Sequence, residues 1–444
     1  MVNQNGQGGS ALGRGYRIGK LGVSLMGSYL GYQAQNLLLG KESQPQRRAH
    51  FQQAASRRVR DELGALKGPA MKFGQMLSMQ TSFLPEEALQ ELAELQMRAP
   101  AMHATLARAQ FKSALGKYPE EMFREFDAEP FAAASLGQVH RAITFKGEKV
   151  AVKIQYPAIR SAIENDLTLL RSATLPTRLT GHVSTAVLDE IARGLLEETD
   201  YLHEAKNLEY FRAGLGGLPY ITVPRVYREL TTERVLTMSY VEGESLSNWL
   251  KRNPARDLRN LVGVRLCEAY ETQVQRLKVL HADQHPGNYL FQPDGRIGLV
   301  DFGCVKRITY DIVELRRCYD QRSWRQSEAA ARYFLAMVYG KSVPYRRARK
   351  ILPLLEQWLD TYRPIGRTAD IVIDFGNRSR LNPAAKEIKR QYQRQILQDK
   401  LIDPEYVFVV RADMGINHLL SELGATVNVS EIARRVSAMP APLQ

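Results

Sequence analysis

The stretch Leu280-His281-Ala282-Asp283-Gln284-His285-Pro286-Gly287-Asn288-Tyr289-Leu290-Phe291, followed by Asp301-Phe302-Gly303, constrains this chain more than any other. Tyr289 to Phe291 predicts a short strand, Pro293-Asp294-Gly295 a turn, and Ile297 to Val300 a second apolar strand. Paired as a hairpin, the two runs bring Asn288 and Asp301 side by side at the open end, with Asp283 one loop away. Two carboxylates and an amide converging on one spot offer only oxygen ligands, which suit Mg²⁺ rather than zinc or copper. An ordinary hairpin with polar residues at its mouth is the plainer alternative, and Asp-Phe-Gly alone is a weak signal.

The chain's 444 residues suffice for two lobes and a sizeable core. A hydrophobic content of 44% with 24% charge is ordinary for a soluble globular protein. Cys267, Cys304 and Cys318 have neither metal-site nor disulfide spacing, which points to a reducing, cytoplasmic setting. The histidines are scattered, which argues against a zinc site. A net charge of +14 suggests affinity for a polyanion: nucleotide, nucleic acid or anionic membrane. Basic clusters stand at Arg57-Arg58-Val59-Arg60, Arg346-Arg347-Ala348-Arg349-Lys350 and Lys389-Arg390. None is interleaved with aromatics for stacking on bases, so no nucleic-acid partner is expected; solvated helix faces are the commoner origin of such runs.

Residues 1–15, rich in Gly, Gln and Asn, predict a disordered tail rather than a signal peptide. No clean run of about 18 apolar residues exists. Tyr16 to Leu39 comes nearest, but Arg17, Lys20, Gln33, Gln35 and Asn36 interrupt it. Its glycines at 15, 19, 27 and 31 permit close helix packing, and the segment predicts an interfacial or packing helix rather than a span. Helices are predicted over His50 to Leu66, Gly68 to Thr81, Pro85 to Met97 and Ala104 to Leu115. Phe131 to Tyr156 reads as strand-rich, with a turn at Lys146-Gly147. Helix returns over Ile159 to Arg171 and Val187 to Phe211; Tyr220 to Val241 predicts two strands about a turn at Thr231-Thr232-Glu233. Beyond Leu246 the pattern is mainly helical apart from the hairpin. The expected organisation is a tail (1–15), a helical extension (16–107), a small β-containing lobe (108–240) and a larger helical lobe (241–444).

This layout and these motifs resemble protein kinases, whose H-R-D-x-x-x-x-N loop and D-F-G supply a base and metal ligands. Asp283 to Asn288 keeps the spacing of that loop. Lys149-Val150-Ala151-Val152-Lys153-Ile154 predicts a strand with Val150, Val152 and Ile154 toward the core. Ala151 and Lys153 then share the other face, where a small residue suits an adenine ring and a lysine reaches phosphate oxygens. Gly194 to Glu204 offers carboxylates to hold that lysine: on a helix Asp200 and Glu204 share a face, whereas Glu198 lies about 200° around from Asp200. In place of a glycine-rich loop stands Ala132-Ala133-Ala134-Ser135-Leu136-Gly137, stiffer because alanine carries a Cβ. Ser239 to Val241, after Met238, is the expected source of backbone contacts to adenine.

Four markers make the resemblance specific. Lys72-Phe73-Gly74-Gln75, Ala132-Ala133-Ala134-Ser135, Glu198-Thr199-Asp200 and Ala282-Asp283-Gln284-His285-Pro286-Gly287-Asn288 are similar to the signatures of the UbiB family of atypical kinases, which has proline where Gln284 stands. The resemblance runs from about residue 50 to residue 430. It implies an α+β, bilobal, protein-kinase-like fold with an N-terminal helical extension, carrying K-x-G-Q, folded over the nucleotide cleft. It implies Mg-ATP or Mg-ADP as ligand. Lys153 would contact phosphates and pair with Glu204; Glu198 and Asp200 would face Lys72; Asn288 and Asp301 would hold Mg²⁺. Asp283 would act as base or orient a water. The family's association with isoprenoid quinone (ubiquinone) biosynthesis and lipid homeostasis implies anionic lipids, quinone precursors or a quinone-synthesis complex as partners. It also implies a place at the periphery of the inner membrane.

Departures from conventional kinases narrow the expected chemistry. The H-R-D arginine is Ala282, and the lysine usual two residues after the aspartate is His285. Gly303 leads directly into Cys304-Val305-Lys306-Arg307-Ile308 and a predicted helix from Tyr310, with no A-P-E. The expectation is a slow ATPase with little or no peptide kinase activity. A phosphotransferase acting on a lipid or small molecule, and a nucleotide-gated scaffold, are its competitors.

Overall fold

The computed structural model describes residues 102–164 except 135 and 162, 185–339 except 310, 344–362, 370–380 and 404–439, with four isolated positions between 387 and 395. The tail, the Tyr16 to Leu39 segment, the three helices expected before residue 98, Lys72 with its motif, and Ser135 lie outside the described residues.

Two compact units divide the chain. One takes in residues up to 122, 126–141 and 153–199; the other takes in 123–125, 142–152 and 200–444.

In the first unit, helix α1 (Ala104–Leu115) occupies the predicted span. His103 caps it, accepting from the Thr105 amide at 3.3 Å, and Gly116 closes it in the left-handed conformation at φ 80. Ala107 and Phe111, one turn apart, are its buried face, and the Phe111 ring lies 6.2 Å from that of Phe126. Strands β1 (Glu125–Phe126), β2 (Ala132–Ala134), β3 (Gly137–Ile143) and β4 (Lys149–Gln155) follow in the chain, and of these only β2 lies wholly within the first unit. The alanine run expected as a loop is strand β2, antiparallel to β3 with Ala132 opposite Val139 and Ala134 opposite Gly137. Alanine has little strand propensity of its own, so pairing with β3 decides its conformation.

Val150, Val152 and Ile154 of β4 are fully buried, each worth about 1.5–3 kcal/mol in transfer from water. The opposite face is covered too: Ala151, Lys153 and Gln155 are 6%, 5% and 5% exposed. Gln155 contributes to that cover by donating from Nε2 to the Thr199 carbonyl at 2.8 Å. Helix α2 (Thr185–Glu197) ends where Thr199 Oγ1 donates back to the Leu196 carbonyl at 2.6 Å.

Helix α3 (Tyr201–Gly214) belongs to the second unit. The single helix expected over Val187 to Phe211 is therefore two helices, broken at residues 198–200. The break has a local cause. The Asp200 carboxylate accepts from the amides of Leu202 and His203, at 2.9 and 3.2 Å, and so starts a new helix.

Strand β5 (Ile221–Thr222) is all that forms of the first strand expected after Tyr220, and it runs parallel to β9 (Ile297–Leu299). Strand β6 (Val235–Ser239) is the second, and it lies at the end of the β1-β3-β4-β6 sheet order. Helices α4 (Leu246–Lys251) and α5 (Arg256–Glu271) lead into a π-helical turn at Thr272–Leu277. Strands β7 (Val279–His281), β8 (Tyr289–Phe291) and β10 (Val305–Arg307) frame the loop segments of interest. The predicted hairpin forms: β8 and β9 are antiparallel, Tyr289 faces Leu299, and Gly295 takes φ 79 in the turn. Helices α6 (Ile312–Gln321), α7 (Glu328–Tyr339) and α8 (Leu352–Tyr362) enclose a core around Trp324, Phe334, Leu335 and Val338. Strand β11 (Val372–Asp374) pairs with β12 (Thr426–Asn428), which joins helix α9 (Pro404–Leu423) to helix α10 (Val429–Ala438).

Arg346, Arg347, Arg349 and Lys350 are exposed; the other two basic clusters lie outside the described residues. Among the described residues no helix is long and apolar enough to cross a membrane.

Candidate functional site

The second unit gathers three of the expected residues. The π-helical turn ends at Lys278, whose backbone is left-handed at φ 52, and turns the chain into β7. Gln273 of that turn accepts from the His281 amide at 3.1 Å, fixing the end of β7. The His281 ring then reaches across the site, its Nε2–H donating to the Asp301 carbonyl. A carbonyl can only accept, which sets the imidazole tautomer. The ring packs edge-on against Phe302 at 5.1 Å, and Phe302 packs against Phe211 of α3 at 4.8 Å. From α3, Asn207 also donates from Nδ2 to the Phe302 carbonyl at 3.0 Å. The Asp301 segment is thus held from two sides, by the buried His281 and the half-buried Asn207.

Asn288 donates from Nδ2 to the Asp283 carbonyl at 2.8 Å, which spans the loop between them. That orientation leaves its Oδ1 as the atom offered to a cation. Val300 donates its amide to the Asn288 carbonyl at 3.2 Å, carrying the hairpin pairing up to the mouth where Asp301 follows. Asp301 Oδ1 accepts from the Gly303 amide at 3.0 Å, a tight turn that fixes its carboxylate. Asp283, Asn288 and Asp301 are all half-buried, and their donor atoms are hard oxygens fit for Mg²⁺.

Behind the loop, Gln284 donates from Nε2 to the His281 carbonyl at 2.6 Å and accepts from the Tyr289 hydroxyl. Burial, with the Asp283 charge second, pushes the Tyr289 phenol above its ordinary value, so it stays a donor. Helix α9 closes on this layer. A Cβ at Gly415 would come within 2.5 Å of the Gln284 Cβ. Arg411 of the same helix donates from Nη2 to Asp283 Oδ1 at 2.7 Å. After Gly303 the chain returns at once to β7: Val305 pairs with His281, and the Ala282 amide donates to the Cys304 carbonyl at 2.9 Å.

Other expected residues have other surroundings. Asp200 serves as the cap of α3, and Glu204 is one turn inside that helix and buried, so they do not share a continuous helical face with Glu198. Glu198 stands in the break between helices and belongs to the first unit, as do Lys153 and the alanine strand. Ser239 ends β6, where its hydroxyl accepts from the Arg225 amide at 2.9 Å. Val241 is buried, and a Cβ on Gly298 of β9 would lie 2.5 Å from its Cγ1. Sequence reasoning missed Arg411, Asn207 and the roles of Gln284 and Tyr289. Only the Gln284 position, where the resembled pattern has proline, carried a signal.

A family model described as "ABC1 atypical kinase-like domain" matches residues 94–331, more than half of the chain. The chloroplastic protein Activity of BC1 Complex Kinase 7 of Arabidopsis thaliana is 36% identical over 54% of this chain and 35% of its own length. Its namesake 8 is 30% identical over 83% of this chain and 52% of its own. AarF domain-containing protein kinase 1 of Mus musculus is 30% identical over 66% of this chain and 58% of its own. The chain therefore spans about a third to a little over half of the length of these curated relatives. Among solved structures, the complex of Rv3197 with erythromycin from Mycobacterium tuberculosis matches with a TM-score of 0.57 and 26% identity, covering 90% of this chain and all of that one. The fold is α+β and protein-kinase-like.

Proposed function

The chain belongs to the ABC1 atypical kinase-like family, and from that premise we propose that it is a slow Mg-dependent ATPase with little or no peptide kinase activity. The observation that carries this reading is the tie between Asp283, Asn288 and Asp301: one amide bonded to the loop of the base, one carboxylate locked by its own turn, and His281 joining the two segments. Asn288 and Asp301 would hold Mg²⁺, which when bound neutralises charge on the nucleotide phosphates. Lys153 would contact phosphate, and Asp283 would orient the attacking water or take its proton. The backbone of Ser239 to Val241 would meet the adenine.

Two features support hydrolysis over peptide phosphorylation. Conventional kinases hold an activation loop beyond D-F-G; here β10 ends at Arg307 and helix α6 opens at Ile312, with only four residues between them. The loop arginine that would receive a phosphorylated activation loop is replaced by buried Ala282. The biological setting we propose, from the family resemblance, is support of isoprenoid quinone biosynthesis or lipid homeostasis at an anionic membrane surface, with residues 16–107 as the element that couples the two.

The test is ATP turnover by the purified chain with Mg²⁺, with and without anionic liposomes, beside Asp301→Asn. Lipid-stimulated phosphate release that vanishes in the variant is the expected result. Transfer of the γ-phosphate to an extracted lipid would establish a phosphotransferase instead. Tight Mg-nucleotide binding without turnover would establish a scaffold.

A further inference from the structure

The loop aspartate meets a cation that comes from far downstream. Arg411 and Asp283 are 128 positions apart, joined at 2.7 Å, with side chains only 13% and 24% exposed. Helix α9 is seated there by contacts on either side of the arginine. Lys306 of β10 lies 5.0 Å over the Phe408 ring, Asp413 accepts from the Tyr270 hydroxyl, and Gly415 abuts Gln284. The arginine therefore projects from backbone that is fixed before and after it. Where conventional kinases carry a lysine two residues after the aspartate, this chain has His285, which is exposed and whose Nδ1 accepts from the Gly287 amide at 3.1 Å. The loop carries no lysine or arginine of its own, and α9 supplies the guanidinium.

We propose that Arg411 is a positioning residue for the phosphoryl chemistry of this site, acting through Asp283. A guanidinium bonded to a carboxylate forms a short, directional, charge-assisted bond, and here it holds the Asp283 side chain in one rotamer beside Asn288. This rests on the reading of the site as one that turns over Mg-ATP. Holding the group that orients the acceptor matters because a misplacement of about 1 Å can cost on the order of a hundredfold in rate.

The experiment measures ADP formation from Mg-ATP by the full chain, which counts water and any other acceptor alike. The proteins are wild type, Arg411→Gln, Arg411→Lys, Asp283→Asn and the double variant Asp283→Asn/Arg411→Gln, each checked for Mg-ADP affinity. Arg411→Gln is expected to lower kcat roughly ten- to a hundredfold while KM for ATP stays within about twofold. Arg411→Lys is expected to recover much of the loss, and the glutamine is expected to add nothing on the Asp283→Asn background. The double variant leaves neither charge unpaired, so its comparison with Asp283→Asn decides the matter if Arg411→Gln does not fold. An unchanged kcat in Arg411→Gln, or losses that multiply with Asp283→Asn, overturns the inference alone. A wild type that binds Mg-ADP yet forms no ADP overturns the ATP-turnover reading and the inference with it.

Discussion

Gly415 and Gln284 touch backbone to side chain, so closely that one added methyl at Gly415 would lie 2.5 Å from the Gln284 Cβ and 3.1 Å from its carbonyl oxygen. Neither of those atoms is the free end of a flexible side chain. Gly415→Ala must therefore push α9 away from the loop that carries Asp283. Overpacking of this kind costs about 1–3 kcal/mol. We expect a lower urea midpoint together with a fall in turnover like that of Arg411→Gln. Wild-type stability and turnover in Gly415→Ala would show that α9 does not brace the loop.

The donors at the hairpin mouth separate binding from chemistry. Asp301→Asn and Asn288→Ala are expected to weaken Mg-nucleotide binding by tenfold or more, on the order of one lost charged hydrogen bond or ligand. Chelation of Mg²⁺ should do the same to the wild type. Asp283→Asn is expected to keep binding within a few-fold and to lose about a hundredfold or more in turnover. Calorimetric titration with Mg-ADP, beside ADP formation, reads both; equal loss of affinity in all three variants would break the division of roles.

Asp200 is a cap before it is anything else. Replacing it with alanine removes the acceptor for the Leu202 and His203 amides and is expected to cost about 1 kcal/mol, while Asp200→Asn keeps most of that. Thermal melts of the two variants check this. If Asp200→Ala abolishes nucleotide binding with the melt unchanged, Asp200 works in the site rather than at the helix end.

His140 makes stability depend on pH. Its ring is buried, stacks on Phe126 and takes part in hydrogen bonds to Gln138 and to the Asp127 carbonyl. Burial holds its pKa below the ordinary 6.5, against the Asp127 carbonyl and the charges of Glu129 and Asp127, which push upward. The unfolded chain therefore binds this proton first. The contribution is whole above pH 6.5 and is eroded as pH falls from there through the lower, folded value. Urea midpoints measured from pH 7.5 to 5.5, at about one-unit steps, should decline less steeply in His140→Gln than in wild type. Equal slopes would remove His140 from the balance.

How far these features can be read from residues alone depends on the range of the interaction that makes them. Helix α1 and the β8–β9 hairpin are local: apolar spacing, Gly116 after the helix and Pro293-Asp294-Gly295 between the strands suffice to place them. The convergence of Asn288 and Asp301 follows from that hairpin register. The break before α3 was legible in principle, since Asp200 is a strong helix starter, but the apolar periodicity ran on through it. Strand β2 falls inside the stretch read as strand-rich, but its alanines read equally as a loop, because three alanines take the conformation their partner strand imposes. Arg411 left no trace near Asp283, for its link to the loop closes only in three dimensions.

The short ladder between β10 and β7 puts Val305 opposite His281, with the Ala282 amide bonded to the Cys304 carbonyl. The segment before Asp283 and the segment after Asp301 are thereby two edges of one ribbon. Neither can loosen while the other stays closed, so the loop and the metal-ligand turn should open as a single cooperative unit. In amide hydrogen exchange, this unit would appear as matched protection of residues on both edges, released together rather than in sequence.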